Sequence, residues 1–577
     1  MTRSDRSVGK LEIGELAGRI YDTGKTLSQQ LAGLLSPSST EHRKRYISVR
    51  TTTPGDRSTG EPDDAESSPT MIPVSAESSQ PRQLSALDAQ LLDAESPTML
   101  LHVGSVTILA PPGEADAPLT IAELRQLIAD RLHLVAPLRW RLRTVPLGLD
   151  LPYWEDCSAI DLGYHVRAAH LPGGATDSQL ADLVARLHAT PLDRTRPQWE
   201  CHLISGLEDG RQALYTKVHH AVIDGVSGAE IMAALLDVVA EAPHCALPMA
   251  GIRLDPKPTM SQMLSGSLTH TVTRQIDRVK APLRLGPALR QAVADIRVAH
   301  RELPFTAPNT AERAFAFVSL SLDDVKKVKN SFGGTVNDVV MALCAGALRR
   351  WLVDHAAEPE KPLLAAVPVS VRTAEQFGTA GNHFSIMLCP LPIDEPDAQH
   401  RLKLTHTALS EVKERFRAAS PTVLHDMTSV LPPVLHGLTT RTLLRLGAPA
   451  MPLADVIISN VPGPQFPLYA AGHRVMASHP VSVLTDLTGG LNITVMSYDG
   501  HLDFGILACP NTVPDVWKLA RYLDDELAEL LPMSETEDPD RHFETAMAPT
   551  RPGETTSRTV SRARFPTRSA QFPVSRA

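Results

Sequence analysis

The sequence predicts an α/β (α+β) chain with two layered domains. Three observations carry the expectation. The chain is 577 residues long, beyond the roughly 250–300 residues that one hydrophobic core supports. Segments with strand and helix patterning alternate through both halves, which is the signature of sheets packed with helices. Its composition, 43% hydrophobic and 21% charged, is that of a globular chain. That excludes a wholly disordered protein, a collagen-like fibre or a coiled coil.

Taken in order, residues 1–81 are predicted to be a disordered N-terminal extension, rich in Ser, Thr, Pro, Asp and Glu after residue 36, with a possible amphipathic helix over 11–35. A first domain is expected over 82–245. It opens with a helix entry at 84–88, a β-branched strand over 102–109 and helices over 121–134 and 179–187. A strand over 212–218 runs directly into His219 and His220, and Ser227 with Glu230 reads as a capping box for a helix over 231–240. Four prolines between 243 and 258 break the pattern, so 246–310 is assigned as a helical crossover linker, with helix over 261–300. The second domain, 311–532, begins with a strand over 313–322. A short helix over 323–329 and a long apolar helix over 336–352 follow. Strands come next at 363–371 and 384–391, helices at 398–417 and within 422–446, and strands at 456–459 and 481–484. A hairpin of 491–497 with 502–508 turns at Asp499-Gly500, and a helix over 513–531 closes the domain. Residues 533–577 are predicted to be a disordered tail, with six arginines and one acid after residue 550.

The formal net charge of -9 argues against sequence-independent nucleic-acid binding, which needs a basic face. The six cysteines (Cys157, Cys201, Cys245, Cys344, Cys389, Cys509) are scattered, with no CxxC pair or Cys/His cluster. Neither a metal site nor a disulfide framework is expected, and a reducing compartment fits best. The longest apolar run, 339–348, has ten residues, about half of what a membrane span needs. A cytoplasmic setting is expected, with any membrane contact peripheral.

The strongest chemical signal is His219-His220-Ala221-Val222-Ile223-Asp224-Gly225. Imidazole suits general-base work near neutral pH, and a base at a strand exit can face a cavity. Asp224 can orient the loop, and Gly225 can supply a turn. No serine elbow or metal-ligand spacing accompanies the histidines. A base without a nucleophile suggests direct transfer, in which an acceptor hydroxyl attacks an activated acyl donor.

HHxxxDG is shared by the CoA-dependent acyltransferase superfamily. Further stretches narrow the match: Leu84-Ser85-Ala86-Leu87-Asp88, His102-Val103-Gly104, Leu192-Asp193-Arg194, Arg196-Pro197-Gln198-Trp199-Glu200 and Thr335-Val336-Asn337-Asp338. Later ones are Pro368-Val369-Ser370-Val371-Arg372, Gly381-Asn382, Ser459-Asn460-Val461-Pro462-Gly463-Pro464 and Gly490-Leu491-Asn492-Ile493. Together these resemble the bacterial wax ester synthase/diacylglycerol acyltransferase family over about residues 82–532. The resemblance implies two chloramphenicol-acetyltransferase-like domains with the active-site channel at their interface. It implies acyl transfer from acyl-CoA, as substrate and not cofactor, to a hydroxyl of diacylglycerol or a long-chain alcohol, with peripheral contact at the inner membrane or a lipid-droplet surface. His220 matches the catalytic base, His219 a supporting residue and Asp224 an orienting residue with Arg372 as its partner. Asn337 and Asp338 match a second motif, and Asn460, Pro462 and Gly463 a loop shaping the channel. Gln198 stands where the family has leucine, which bears on acyl preference. The competing expectations are an acyltransferase of the same fold acting on another complex lipid or a polyketide, a condensation-type domain, and a non-catalytic lipid-binding protein.

Overall fold

A computed structural model describes residues 81–112, 117–241, 254–265, 267, 303–372, 381–418 and 453–536. The expected helix over 11–35, most of the 261–300 helix, the helix within 422–446 and the arginine-rich tail lie outside the described residues.

The first half opens with β1 (Arg82–Gln83) and α1 (Ala86–Ala94), whose N-cap Ser85 accepts from Asp88 N–H. Then come β2 (His102–Leu109), α2 (Ile121–Arg131), β3 (Trp140–Arg143) and β4 (Tyr153–Asp156). Next are β5 (Val166–Ala175), α3 (Asp177–His188), β6 (Trp199–Leu207), β7 (Gln212–His219) and α4 (Gly225–Leu235). Thr120 with Glu123 and Thr176 with Gln179 form capping boxes at α2 and α3. The second half holds β8 (Ala314–Ser321), α5 (Leu322–Phe332), α6 (Val336–Asp354), β9 (Leu363–Ser370), β10 (Phe384–Leu391) and α7 (Ala398–Ala418). It ends with β11 (Val456–Pro462), β12 (Tyr469–Ala470), β13 (His473–Val481), β14 (Leu491–Tyr498), β15 (His501–Ala508) and α8 (Val516–Thr536).

The strands form two six-stranded mixed sheets, ordered β12-β13-β2-β7-β6-β5 and β10-β9-β11-β14-β15-β8, and a small sheet β1-β4-β3. The α/β (α+β) class is therefore as the sequence predicts. Helix α6 is apolar on almost every face and lies inside the second core, with Val339 to Leu348 all buried. Thr335, not Asn337, is its N-cap, in a capping box with Asp338. No single helix among the described residues is long and apolar enough to cross a membrane. The pair Leu322–Phe332 and Val336–Asp354 has the length and composition together but bends by 101° at its break.

Several expectations need correction. Strands β12 and β13 lie within the stretch assigned to the second domain, yet β13 pairs antiparallel with β2, from Val475 opposite Leu109 to Val481 opposite Gly104. The strand expected at 481–484 is misplaced: the strand found is His473–Val481, which crosses into the first sheet and ends where the expected one was to begin. Strands β5 and β6 have no counterpart in the sequence reading. Helix α4 opens at Gly225, because Gly228 N–H bonds to the Asp224 carbonyl 2.8 Å away. That places Ser227 within the first turn instead of capping it. The last helix starts at Val516, since a turn on the Cys509 carbonyl, which accepts from Thr512 and Val513, occupies the residues before it. Between the two sheets, Phe315, Phe317 and Leu507 pack with Ile108, Ala213 and Tyr215 in one buried cluster, so the halves share apolar surface directly.

Candidate active site

Strand β7 is central in the first sheet, between β2 and β6, and its last residue, His219, pairs with His102. The chain then turns tightly. His220 N–H donates to Leu101 O at 2.8 Å, Val222 N–H to His219 O at 2.9 Å, and Ala221 N–H to His219 Nδ1 at 3.0 Å. With its neighbours held this way, the half-buried His220 ring meets the second half of the chain. Its Nδ1 is 2.9 Å from Asn382 Oδ1, and its ring centre lies 5.6 Å from that of Phe384. Asn382 Nδ2 donates to His220 O at 2.6 Å and to Asp88 Oδ1 at 2.7 Å. Burial lifts the Asp88 carboxyl above its ordinary range, although hydrogen bonds from Asn382 and Ser85 oppose the shift.

Four residues past His220, the carboxylate of Asp224 accepts from Arg372 Nη2 at 2.7 Å and Nε at 3.1 Å. Arg372 Nη2 also reaches Gly381 O at 2.6 Å, and His383 N–H reaches Asp224 Oδ2 at 3.3 Å. Both partners are buried, with side chains 1% and 6% exposed. The pair therefore sits in low dielectric, where each charge depends on the other. At α6, Asn460 Nδ2 donates to Asn337 Oδ1 at 3.3 Å. The neighbouring Val461 packs on Gly225, where an added Cβ would stand 3.1 Å from Val461 Cγ2. The arrangement can present one imidazole, fixed from behind by the Asn382 amide of the other half.

Comparison with known proteins agrees over the same span. Residues 84–340 match the wax ester synthase/diacylglycerol acyltransferase catalytic domain, and residues 380–531 match the C-terminal domain of that family. A Mycobacterium tuberculosis protein named as a diacylglycerol O-acyltransferase is 33% identical over 80% of this chain and 93% of its own length. The chain belongs to the wax ester synthase/diacylglycerol acyltransferase family. Its activity is accordingly acyl transfer. A Mycobacterium bovis protein of the same naming is 34% identical over 77% of this chain and 97% of its own. The solved wax ester synthase/diacylglycerol acyltransferase of Marinobacter aquaeolei VT8 superposes with a TM-score of 0.59 at 31% identity, covering 79% of this chain and all of that one.

Of the residues the sequence singles out in this acyltransferase, the fold brings His220, Asp224 and Arg372 to one seam. His219 points away: it is fully buried, and burial pushes its pKa down to about 3. Its Nε2 is 3.7 Å from Glu95 Oε1, too long for a hydrogen bond, and a neutral ring makes no ion pair there. Gly225, expected to supply a turn, does not have a positive φ. It begins α4, and its missing side chain admits Val461. Asp338 faces α7, where His406 Nδ1 lies 2.8 Å from its Oδ2. Pro462 ends β11. At Gly463 an added Cβ would lie 2.4 Å from Ser497 O, so close strand packing accounts for that glycine. Gln198 is buried and donates its amide to Asp193 O at 2.7 Å and Arg196 O at 2.6 Å, closing the loop behind β6. The sequence reading missed Asp88 and Asn382 as site residues. Both lie in stretches that carry the family resemblance, which was the available signal.

Beneath the seam is a group of buried neutral histidines. Burial is the first cause in each case: it brings His102 and His219 to about 3 and His202 to about 4, and lowers His188 well below its usual value. The unfolded chain takes up these protons near pH 6.5, whereas the fold resists them. Their contribution to stability is therefore complete above pH 6.5 and is lost as pH falls toward their folded values, each histidine adding a slope of up to about 1.4 kcal/mol per pH unit. The melting temperature is expected to drop steadily between pH 6.5 and 4.5 when followed by circular dichroism. A flat profile would contradict the neutral assignment.

Proposed function

We propose that the chain transfers the acyl group of a long-chain acyl-CoA to the hydroxyl of diacylglycerol or a fatty alcohol, yielding triacylglycerol or wax ester, with no cofactor. The observation that carries this is the His220 ring, held through Nδ1 by the opposite half of the chain, which leaves Nε2 as the basic nitrogen. Nε2 takes the proton of the acceptor hydroxyl as its oxygen attacks the thioester carbonyl. The tetrahedral oxyanion collapses, and the imidazolium returns the proton to the departing CoA thiolate. General-base help of this kind is worth about 10²–10⁴ in rate. The remainder comes from positioning and from donors to the oxyanion, a role we assign to the Asn337–Asn460 amide pair. Asp224 and Arg372 hold the loop that follows the base. Contact with the lipid surface that supplies such acceptors would be peripheral.

The test is a thiol-release assay with purified protein and palmitoyl-CoA. CoA is expected to appear only when diacylglycerol or a fatty alcohol is added, with matching ester formed. Release without acceptor would make the chain a thioesterase, and no release with any hydroxyl acceptor would favour a binding protein.

A further inference from the structure

We infer that Asn382 and Asp88 are positioning residues that lock the tautomer of His220, and that the lock is assembled from both halves of the chain. The inference rests on the reading of His220 as the base. A side-chain amide has one acceptor end and one donor end. The nitrogen end of Asn382 is identified by its surroundings, since it faces the His220 carbonyl at 2.6 Å, which can only accept, and Asp88 Oδ1 at 2.7 Å, the same oxygen that accepts the Asn382 backbone N–H. The oxygen end must then face His220 Nδ1, 2.9 Å away. An amide oxygen accepts only, so the hydrogen sits on Nδ1, and the lone pair of the neutral ring sits on Nε2.

Asp88 secures the amide against a flip. Its Oδ1 also receives the backbone N–H of Asn382 at 3.3 Å, so the carboxylate grips side chain and main chain together. A flipped amide would turn its oxygen toward a carboxylate and a carbonyl, acceptor against acceptor, in a site where Asp88 is 4% and Asn382 6% exposed. Burial makes that mismatch costly. The parts come from distant places: Asp88 from the first helix, His220 from the exit of β7, and Asn382 from the segment entering β10. The base is thus held in its working tautomer only when the two halves are docked.

The experiment uses the full chain labelled with [15N]histidine, with His220→Ala to identify the His220 signals. In the wild type, His220 is expected to show a protonated Nδ1 and an unprotonated Nε2 above pH 8. In Asn382→Leu the two tautomers should mix, and kcat should fall about 10²-fold while KM changes less than about twofold, as when a catalytic imidazole loses its orienting partner. Asp88→Leu should behave like Asn382→Leu, whereas Asp88→Asn, which keeps an acceptor oxygen, should stay within about threefold of wild type. If Asn382→Leu does not fold, Asp88→Leu and Asp88→Asn provide the second test, since the first removes and the second keeps the oxygen that accepts from Asn382: the tautomers of His220 should mix in Asp88→Leu and stay as in the wild type in Asp88→Asn. An unchanged His220 spectrum in folded Asn382→Leu or in folded Asp88→Leu would overturn the inference. An active His220→Ala protein would instead remove the base assignment, whatever the spectra show.

Discussion

His220→Ala is expected to lower kcat by about 10²–10⁴ while leaving the fold intact. Among the described residues the half-buried ring makes one hydrogen bond, to the Asn382 side chain, and Asn382 stays anchored by Asp88 and by the His220 carbonyl, which alanine retains. Water can take the vacated place beside Asn382 Oδ1. His219→Ala should show the reverse profile. Its Nδ1 satisfies the Ala221 N–H in a buried turn, and leaving that donor unpaired costs about 1–3 kcal/mol. Steady-state CoA release and thermal melting, run side by side, separate the two. Equal activity losses with equal destabilisation would refute the division of roles between adjacent histidines.

Arg372→Met is the second large effect, and it falls on stability as well as rate. Arg372 is the cation paired with the buried Asp224 carboxylate, and breaking such a pair from one side costs about 3–5 kcal/mol. The same guanidinium holds Gly381 O, next to Asn382, so the seam around His220 loosens too. The double variant Arg372→Met/Asp224→Leu removes both charges and should recover most of the lost melting temperature, but not the activity. If the double variant is no more stable than Arg372→Met, the loss does not come from an uncompensated buried charge.

Much of this was legible locally. The apolar helix α6, the hairpin with Asp499 and Gly500 both at positive φ, and the strand that delivers His219-His220 each declare themselves within a short window. What stayed hidden depends on distance. β5 reads Val-Arg-Ala-Ala-His-Leu-Pro-Gly-Gly-Ala, with little apolar alternation and with residues that disfavour strands. It is a strand because β6 pairs with it in parallel. Asp88 and Asn382 are 294 positions apart. No periodicity links them, and only the docking of the halves turns two ordinary polar residues into a support for the base. The function of Gly225 was misread for the same reason, since Val461 approaches it from the other half.

The crossing of β13 into the first sheet bears on how the chain is made. Thr107 on β2 and Ser478 on β13 bond across 371 positions. During synthesis β2 can find β7 early, but its other edge stays open until residues near 481 have left the ribosome. An unpaired edge is a template for pairing with neighbouring chains, and contacts this remote in sequence form slowly. Nascent chains crowded on one message are therefore exposed to strand exchange during most of translation. A fragment ending at residue 241 keeps that edge open permanently, so splitting this acyltransferase after its expected first domain would yield an aggregating piece and not a folding unit.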